Sequence, residues 1–196
     1  MKLNANKIAR MGILSALSVL LMLVIHFPIF PSADFLEFDI ANVPILIGTF
    51  LYGPIEGLII TFVVCVIQAA TVSQASGIAG AFMHFVATGT LVIVAGYIYK
   101  KVHTLKGAII GLIAGSLAMT GAMVPLNLVV TPRFRGVPVE VIVPMLLPII
   151  VPFNIIKSFG NSLIVLLVYK SAGRVLRIPQ KTLTQSVEGK DFKAVK

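Results

Sequence analysis

The sequence predicts an all-α integral membrane protein of six transmembrane helices, with both termini cytoplasmic. Three observations carry that fold class. The 196 residues are 58% hydrophobic and only 12% charged, with a mean hydropathy of +1.02. A water-soluble domain carries about 25% charged residues, so this chain cannot cover a wet surface, and its apolar content excludes disorder. Most of the apolar residues fall in blocks close to the roughly 20 residues that a spanning helix needs. The basic residues sit at the edges of those blocks, the arrangement that sets orientation in a bilayer. The net charge of +9 therefore reads as membrane topology, and nucleic acid is not an expected partner.

The spans are predicted at about 9–25, 41–52, 54–71, 79–99, 107–130 and 149–169. The first follows Lys2, Lys7 and Arg10. A basic start before an apolar run also suits a signal peptide, but no small-x-small cleavage site follows closely. The second span is short, and 41–71 could form one long helix instead. Lys and Arg decide between the two. Lys2, Lys7 and Arg10, then Lys100, Lys101 and Lys106, then Lys170, Arg174, Arg177, Lys181, Lys190, Lys193 and Lys196 make up thirteen of the sixteen basic residues. The positive-inside rule puts all three segments in the cytoplasm. Four spans before residue 100 satisfy this and three do not. The break is placed at Gly53-Pro54, where Pro54 lacks a backbone donor and Gly53 permits a tight turn. The 26–40 loop, with Asp34, Glu37 and Asp39, the 72–78 turn and the 131–148 connection then lie outside. Residues 1–177 form one membrane domain, and 178–196 a polar, disordered cytoplasmic tail.

Polar groups in a membrane interior are costly and mark candidate functional positions. Lys157 lies about eight residues into the last span, about 12 Å by helical rise, and no carboxylate within a span matches its depth. Asn154 is three residues earlier on the same helix face. Pro152 precedes both and can free a backbone carbonyl. Asn127, His84 and Gln68 fall in the outer half of their spans, with Thr49 at mid-depth in the second. The inner half offers only Ser116 and Thr120, which predicts a pocket open to the outside and not a continuous pore.

Plainer roles compete with these. An intramembrane Asn or Gln can be interhelical glue, and His84 can be a packing residue. With no second His or Cys at the right spacing, no metal site is expected. The single cysteine, Cys65, cannot form an intrachain disulfide. Phe27, Phe30, Phe35 and Phe38 give the 26–40 loop the look of an aromatic lid or of an interfacial belt.

Three stretches carry a family resemblance: Pro152-Phe153-Asn154-Ile155-Ile156-Lys157; Phe38-Asp39-Ile40-Ala41-Asn42-Val43-Pro44 running on to Thr49-Phe50-Leu51-Tyr52-Gly53-Pro54; and Gly80-Ala81-Phe82-Met83-His84-Phe85. Over about residues 9–170 the chain resembles the substrate-binding S components of energy-coupling-factor (ECF) vitamin transporters, and among them the riboflavin-specific members. The resemblance implies a six-helix fold and no enzymatic activity. It implies capture of riboflavin from outside, at the cytoplasmic membrane of a prokaryote. Delivery inward would need a transmembrane T component and two cytoplasmic ATPase subunits. It also implies that Asn127, Asn154 and Lys157 contact the flavin ring, and that Gly12 and Ala16, at small-xxx-small spacing, dock the T component. His84, Gln68, Thr49, Phe38 and Asp39 complete the expected ligand-binding set. No cofactor is expected, riboflavin being the transported ligand. The chain departs from the family pattern at Asn42, His84, Cys65 and Gln68, all of which bear on contacts to the ribityl chain.

Flavin chemistry fits these residues on its own terms. A carboxamide offers both a donor and an acceptor to the uracil-like edge of the ring. Lys157 can donate to a ring carbonyl or nitrogen, and phenylalanine can cover the ring face. Other readings stay open. One is an S component for another vitamin. Another is an autonomous proton-driven carrier using His84 and Lys157, against which stands the lack of an inverted repeat. A membrane enzyme is the last, and no nucleophile–base pair can be assembled for it.

Overall fold

The computed structural model describes residues 5–71 and 77–175, with side chains as far as Val168. The tail expected at 178–196 and most of the turn expected at 72–78 lie outside the described residues. Helix α1 spans Ala5–Val24, α2 Asn42–Tyr52, α3 Pro54–Thr71, α4 Gly77–Lys101 and α5 Leu105–Arg135. A single turn, α6 (Val139–Ile142), leads through 3-10 and π turns over 143–150 into α7, Val151–Val175. Among the described residues, α1, α3, α4, α5 and the run Val139–Val168 are long and apolar enough to cross a membrane. Helix α2 has only 11 residues, about 16 Å at 1.5 Å per residue, against a hydrocarbon layer of about 30 Å. Five of the six expected spans thus have crossing length, and the second is a half-length helix.

The polarity of the helices is turned inside out. In α1, Met11, Ser15, Ser18 and Met22 are buried, whereas Ile13, Leu17, Leu20 and Leu23 are exposed. In α7, Asn154, Ser158, Asn161, Ser162 and Val165 are buried while Ile155, Leu163 and Leu167 face out. Leucine stripes pointing outward, with serine and asparagine inward, suit a hydrocarbon surround and not water. The inward hydroxyls are satisfied locally: Ser15 donates to the Met11 carbonyl and Ser158 to that of Asn154. Ser116 and Ser162 pair at 3.2 Å and join α5 to α7.

Glycine decides two features. The chain breaks between α2 and α3 at Gly53, whose φ of 117° no other residue adopts readily. Its N–H donates to the Thr49 carbonyl at 2.9 Å, and Pro54 then opens α3, where a missing N–H is tolerated. Helices α4 and α5 approach through Gly111 and Gly115: a methyl group on either would stand 2.9 Å from the carbonyl oxygen of Ala95 or Leu91.

The 26–40 loop is folded and not draped. Strands β1 (His26–Pro28) and β2 (Glu37–Asp39) pair antiparallel, with His26 opposite Asp39. The all-helical expectation did not include this ribbon. It forms because the loop is tucked against protein, where its backbone groups must find partners. Ala33 and Leu36 bury themselves with Ile142, Ile150 and Phe153 in a small second core that fastens the loop to the start of α7.

Candidate ligand-binding site

The three prolines at 144, 148 and 152 cannot donate backbone hydrogen bonds, and the chain enters α7 through irregular turns. From there α7 carries its polar side chains along one face. Asn154 Nδ2 donates to the Ile150 carbonyl at 2.8 Å. One turn on, Lys157 Nζ donates to Asp39 Oδ2 at 2.7 Å and to the Glu37 carbonyl at 2.9 Å. A turn further, Asn161 Nδ2 donates to the Asp39 carbonyl at 2.9 Å. The Ala41 N–H donates to the other Asp39 carboxylate oxygen at 3.0 Å.

The expectation that Lys157 lacks an acidic partner is therefore corrected. Its partner comes from the loop, not from a helix. Strand β2 dips into the bundle, and the side chain of Asp39 is only 2% exposed. Burial alone would raise the Asp39 carboxyl; the Lys157 ammonium, with hydrogen bonds from Lys157 and Ala41, outweighs it and holds the group below its usual range.

A second polar cluster links α2, α3 and α4. His84 Nδ1 meets Gln68 Oε1, and His84 Nε2 lies 3.4 Å from Asn42 Oδ1. Thr88 donates to the same Asn42 oxygen at 2.9 Å. The Asn42 amide nitrogen is buried without a partner among the described residues.

Both clusters border one cavity of about 90 Å³. Asn154 and Lys157 form part of its wall, with Gln68 and His84. Phe35, Phe134 and Phe153 add aromatic surface, and Met83, Met119 and Met123 add polarisable, adaptable surface. The lining suits the face and the hydrogen-bonding edge of a flat, largely apolar molecule, but at about 90 Å³ the cavity must widen to enclose one, since ligand pockets run to about 300 Å³ or more.

The other expected residues fall elsewhere. Asn127 is fully buried just behind the wall, its amide donating to the Met123 carbonyl at 2.8 Å and its oxygen accepting from Thr131 at 2.9 Å. Met123 and Thr131 line the cavity where Asn127 does not. Helix α5 runs to Arg135, so Asn127 lies two turns below its end and not one. Asp39 sits behind Lys157. Phe38 packs on Phe27, ring centroids 5.5 Å apart, and its neighbours Phe35, Leu36 and Glu37 reach the cavity instead. Thr49 lies apart, bonded to the Ile45 carbonyl at 2.8 Å, beside a second cavity of about 370 Å³ that Lys100 and His103 also line. Gly12 and Ala16 are on the exposed face of α1, with nothing within 4 Å of where a Gly12 Cβ would stand.

Asn161 and Thr88 belong to these networks and were not among the expected residues, whereas Phe35 was expected only as one of four phenylalanines of an aromatic lid. Asn161 had a signal, four residues beyond Lys157 on the same face. Of the four loop phenylalanines, only Phe35 lines the cavity. The Arg135 guanidinium lies over its ring at 4.9 Å and pairs with Asp34 at 2.9 Å. Among the described residues there is no group of three or more His, Cys, Asp or Glu that could hold a metal ion.

Comparison with known proteins agrees with this geometry. The riboflavin transporter RibU of Streptococcus thermophilus is 30% identical over 181 residues, covering 88% of this chain and 85% of its own. The riboflavin transporter FmnP of Bacillus subtilis is 26% identical over 175 residues, covering 85% of this chain and 92% of its own. A solved structure described as the S component of a bacterial ECF transporter superposes with a TM-score of 0.78 at 30% identity, over 88% of this chain and 98% of that one. The family model for the ECF transporter substrate-specific component matches residues 6–169. A multi-pass membrane bundle with a polar-edged cavity, matched along nearly all of its helical length, makes this chain a member of the substrate-specific components of ECF transporters.

Proposed function

We infer that this chain is the riboflavin-binding subunit of an ECF transporter, residing in the cytoplasmic membrane of a prokaryote. One observation carries the reading: Asn154 and Lys157, one turn apart on α7, border the same cavity as Gln68 and His84, in a chain whose relatives are named riboflavin transporters. The ammonium and the carboxamides supply directed donors and acceptors for the polar edge of the isoalloxazine ring, and Phe35 and Phe153 supply surface for its face. Asn127 joins the site by turning its amide away from Met123.

In this reading six helices, the short α2 among them, cross or enter the bilayer. The end carrying Lys7, Lys100 and Lys101 is cytoplasmic, and the loop end faces outward. Gly12 and Ala16 offer a smooth strip on α1 for a T component. Two ATPase subunits drive release, and this chain performs no chemistry on its ligand.

The test is direct. Protein purified in detergent from riboflavin-containing medium should be yellow, and stripped protein should quench the fluorescence of added riboflavin. Failure to quench riboflavin, with capture of thiamine, biotin or pantothenate instead, would reassign the ligand. Uptake by vesicles holding this chain alone would favour an autonomous carrier.

A further inference from the structure

Among the described residues, Lys157 is the only lysine or arginine in the cavity wall. An ammonium has three N–H donors. Two go to Asp39 Oδ2 and the Glu37 carbonyl, which leaves one for the cavity. The Asp39 carboxylate is equally committed, held by Lys157 and the Ala41 N–H, while Asn161 grips its carbonyl. Anion and cation are fixed within 2.7 Å of each other, 2% and 11% exposed. The cavity wall therefore holds an ammonium with one uncommitted donor and a counter-charge close behind it, beside Glu37, which also lines the cavity and pairs with His26.

We propose that Asp39 is a positioning and specificity-determining residue: it aims one Lys157 donor into the cavity and cancels its charge, so that the site selects an uncharged heterocycle bearing carbonyl acceptors over the anionic form of the same molecule. An unpaired ammonium in a low-dielectric wall would instead favour an anion strongly. This inference rests on the riboflavin reading and refines it. The imide N–H on the polar edge of the flavin ring is a weak acid, so the bound ligand itself reports the field it feels.

The experiment is a pH titration of the absorbance of bound riboflavin in wild-type protein and in Asp39→Asn. The other titratable groups near the pair are Glu37, whose carboxylate is 2.8 Å from His26, Cys65 of α3 and His84 of α4. They are common to both proteins and cancel in the comparison. Asparagine keeps the shape and the acceptor for Ala41 but leaves Lys157 uncompensated. The ring should then ionise at least about one pH unit lower in Asp39→Asn, a tenfold gain for the anion. In Lys157→Met the midpoint should move up instead, because Asp39 is left unbalanced; this arm decides if Asp39→Asn does not fold. A change confined to packing would move neither midpoint. Coincident midpoints overturn the proposal. So does loss of binding in both variants, which would make the pair a condition for any binding and not a selector of charge. Wild-type protein that takes up no riboflavin is the separate failure of the parent reading, and the proposal falls with it.

Discussion

Lys7 of α1 and Glu56 of α3 meet at 2.6 Å at the basic end of the bundle. The Glu56 side chain is 8% exposed, and Lys7 also lies 6.0 Å from the centre of the Tyr52 ring. The pair ties the first helix to the break between α2 and α3, about 18 Å by helical rise along α3 from Gln68 in the cavity wall. Replacing Glu56 with glutamine leaves the ammonium without its counter-charge. We expect a loss of about 1–3 kcal/mol of stability, read as a lower midpoint of thermal unfolding in detergent. Riboflavin affinity should stay within about twofold of wild type, since the expected loss lies in the fold and not in the wall. A large drop in affinity would couple the two ends.

Asn154→Ala should weaken riboflavin binding by about 1–3 kcal/mol, the cost of leaving a buried partner unpaired. Titration by fluorescence quenching measures it. Unchanged affinity would remove Asn154 from the site.

Asp34 and Arg135 are joined at the surface, with side chains 73% and 38% exposed. Exposed pairs contribute about 0.2–1 kcal/mol, so Arg135→Gln should scarcely alter the unfolding temperature. Dissociation of riboflavin should quicken by up to about fivefold, and high salt should mimic the substitution in wild-type protein. Stopped-flow displacement reads both effects.

Gly57 faces Thr49 and Val92 where α2, α3 and α4 cross, and a Cβ there would collide with both. Gly57→Val should destabilise the bundle by about 1–3 kcal/mol through overpacking. Thermal unfolding tests this, and an unchanged midpoint would mean that the crossing is looser than the geometry requires.

Acid should release the loop late. Because the Asp39 carboxyl is held below its usual value, its stabilising contribution is complete above the unfolded carboxylate range and is lost only as pH falls through the lowered value. Binding measured from pH 7 to 5 should not reflect Asp39 titration. A loss in that window that Asp39→Asn abolishes would contradict the ion pair.

The helix frame was largely legible because it depends on local chemistry. Gly53-Pro54 fixed the break, and the spacing of Asn154 and Lys157 placed both on one face of α7. Depth alone could not tell which way a side chain turns, and Thr49 and Asn127 miss the cavity for that reason. The Asp39–Lys157 pair was hidden for another: its residues are 118 apart in the chain, and they meet only because a loop that reads as external folds into a ribbon. The turn before β2 brings Phe35 to the cavity while Phe38, in the strand, packs on Phe27, a difference that phenylalanine count does not reveal.

Besides the apolar contacts of Ala33 and Leu36, the loop carries two ionic anchors, to α5 through Asp34 and to α7 through Asp39. Five peptide steps separate the anchors, a reach of at most about 17 Å when fully stretched. The segment between them is thus a tether of limited length joining two helices. If those helices rock apart beyond that reach, one link must yield, and the solvent-exposed Asp34–Arg135 link is the weaker. The surface ion pair is thus the link that gives first under strain, while the buried pair and the apolar contacts of Leu36 keep their hold on α7.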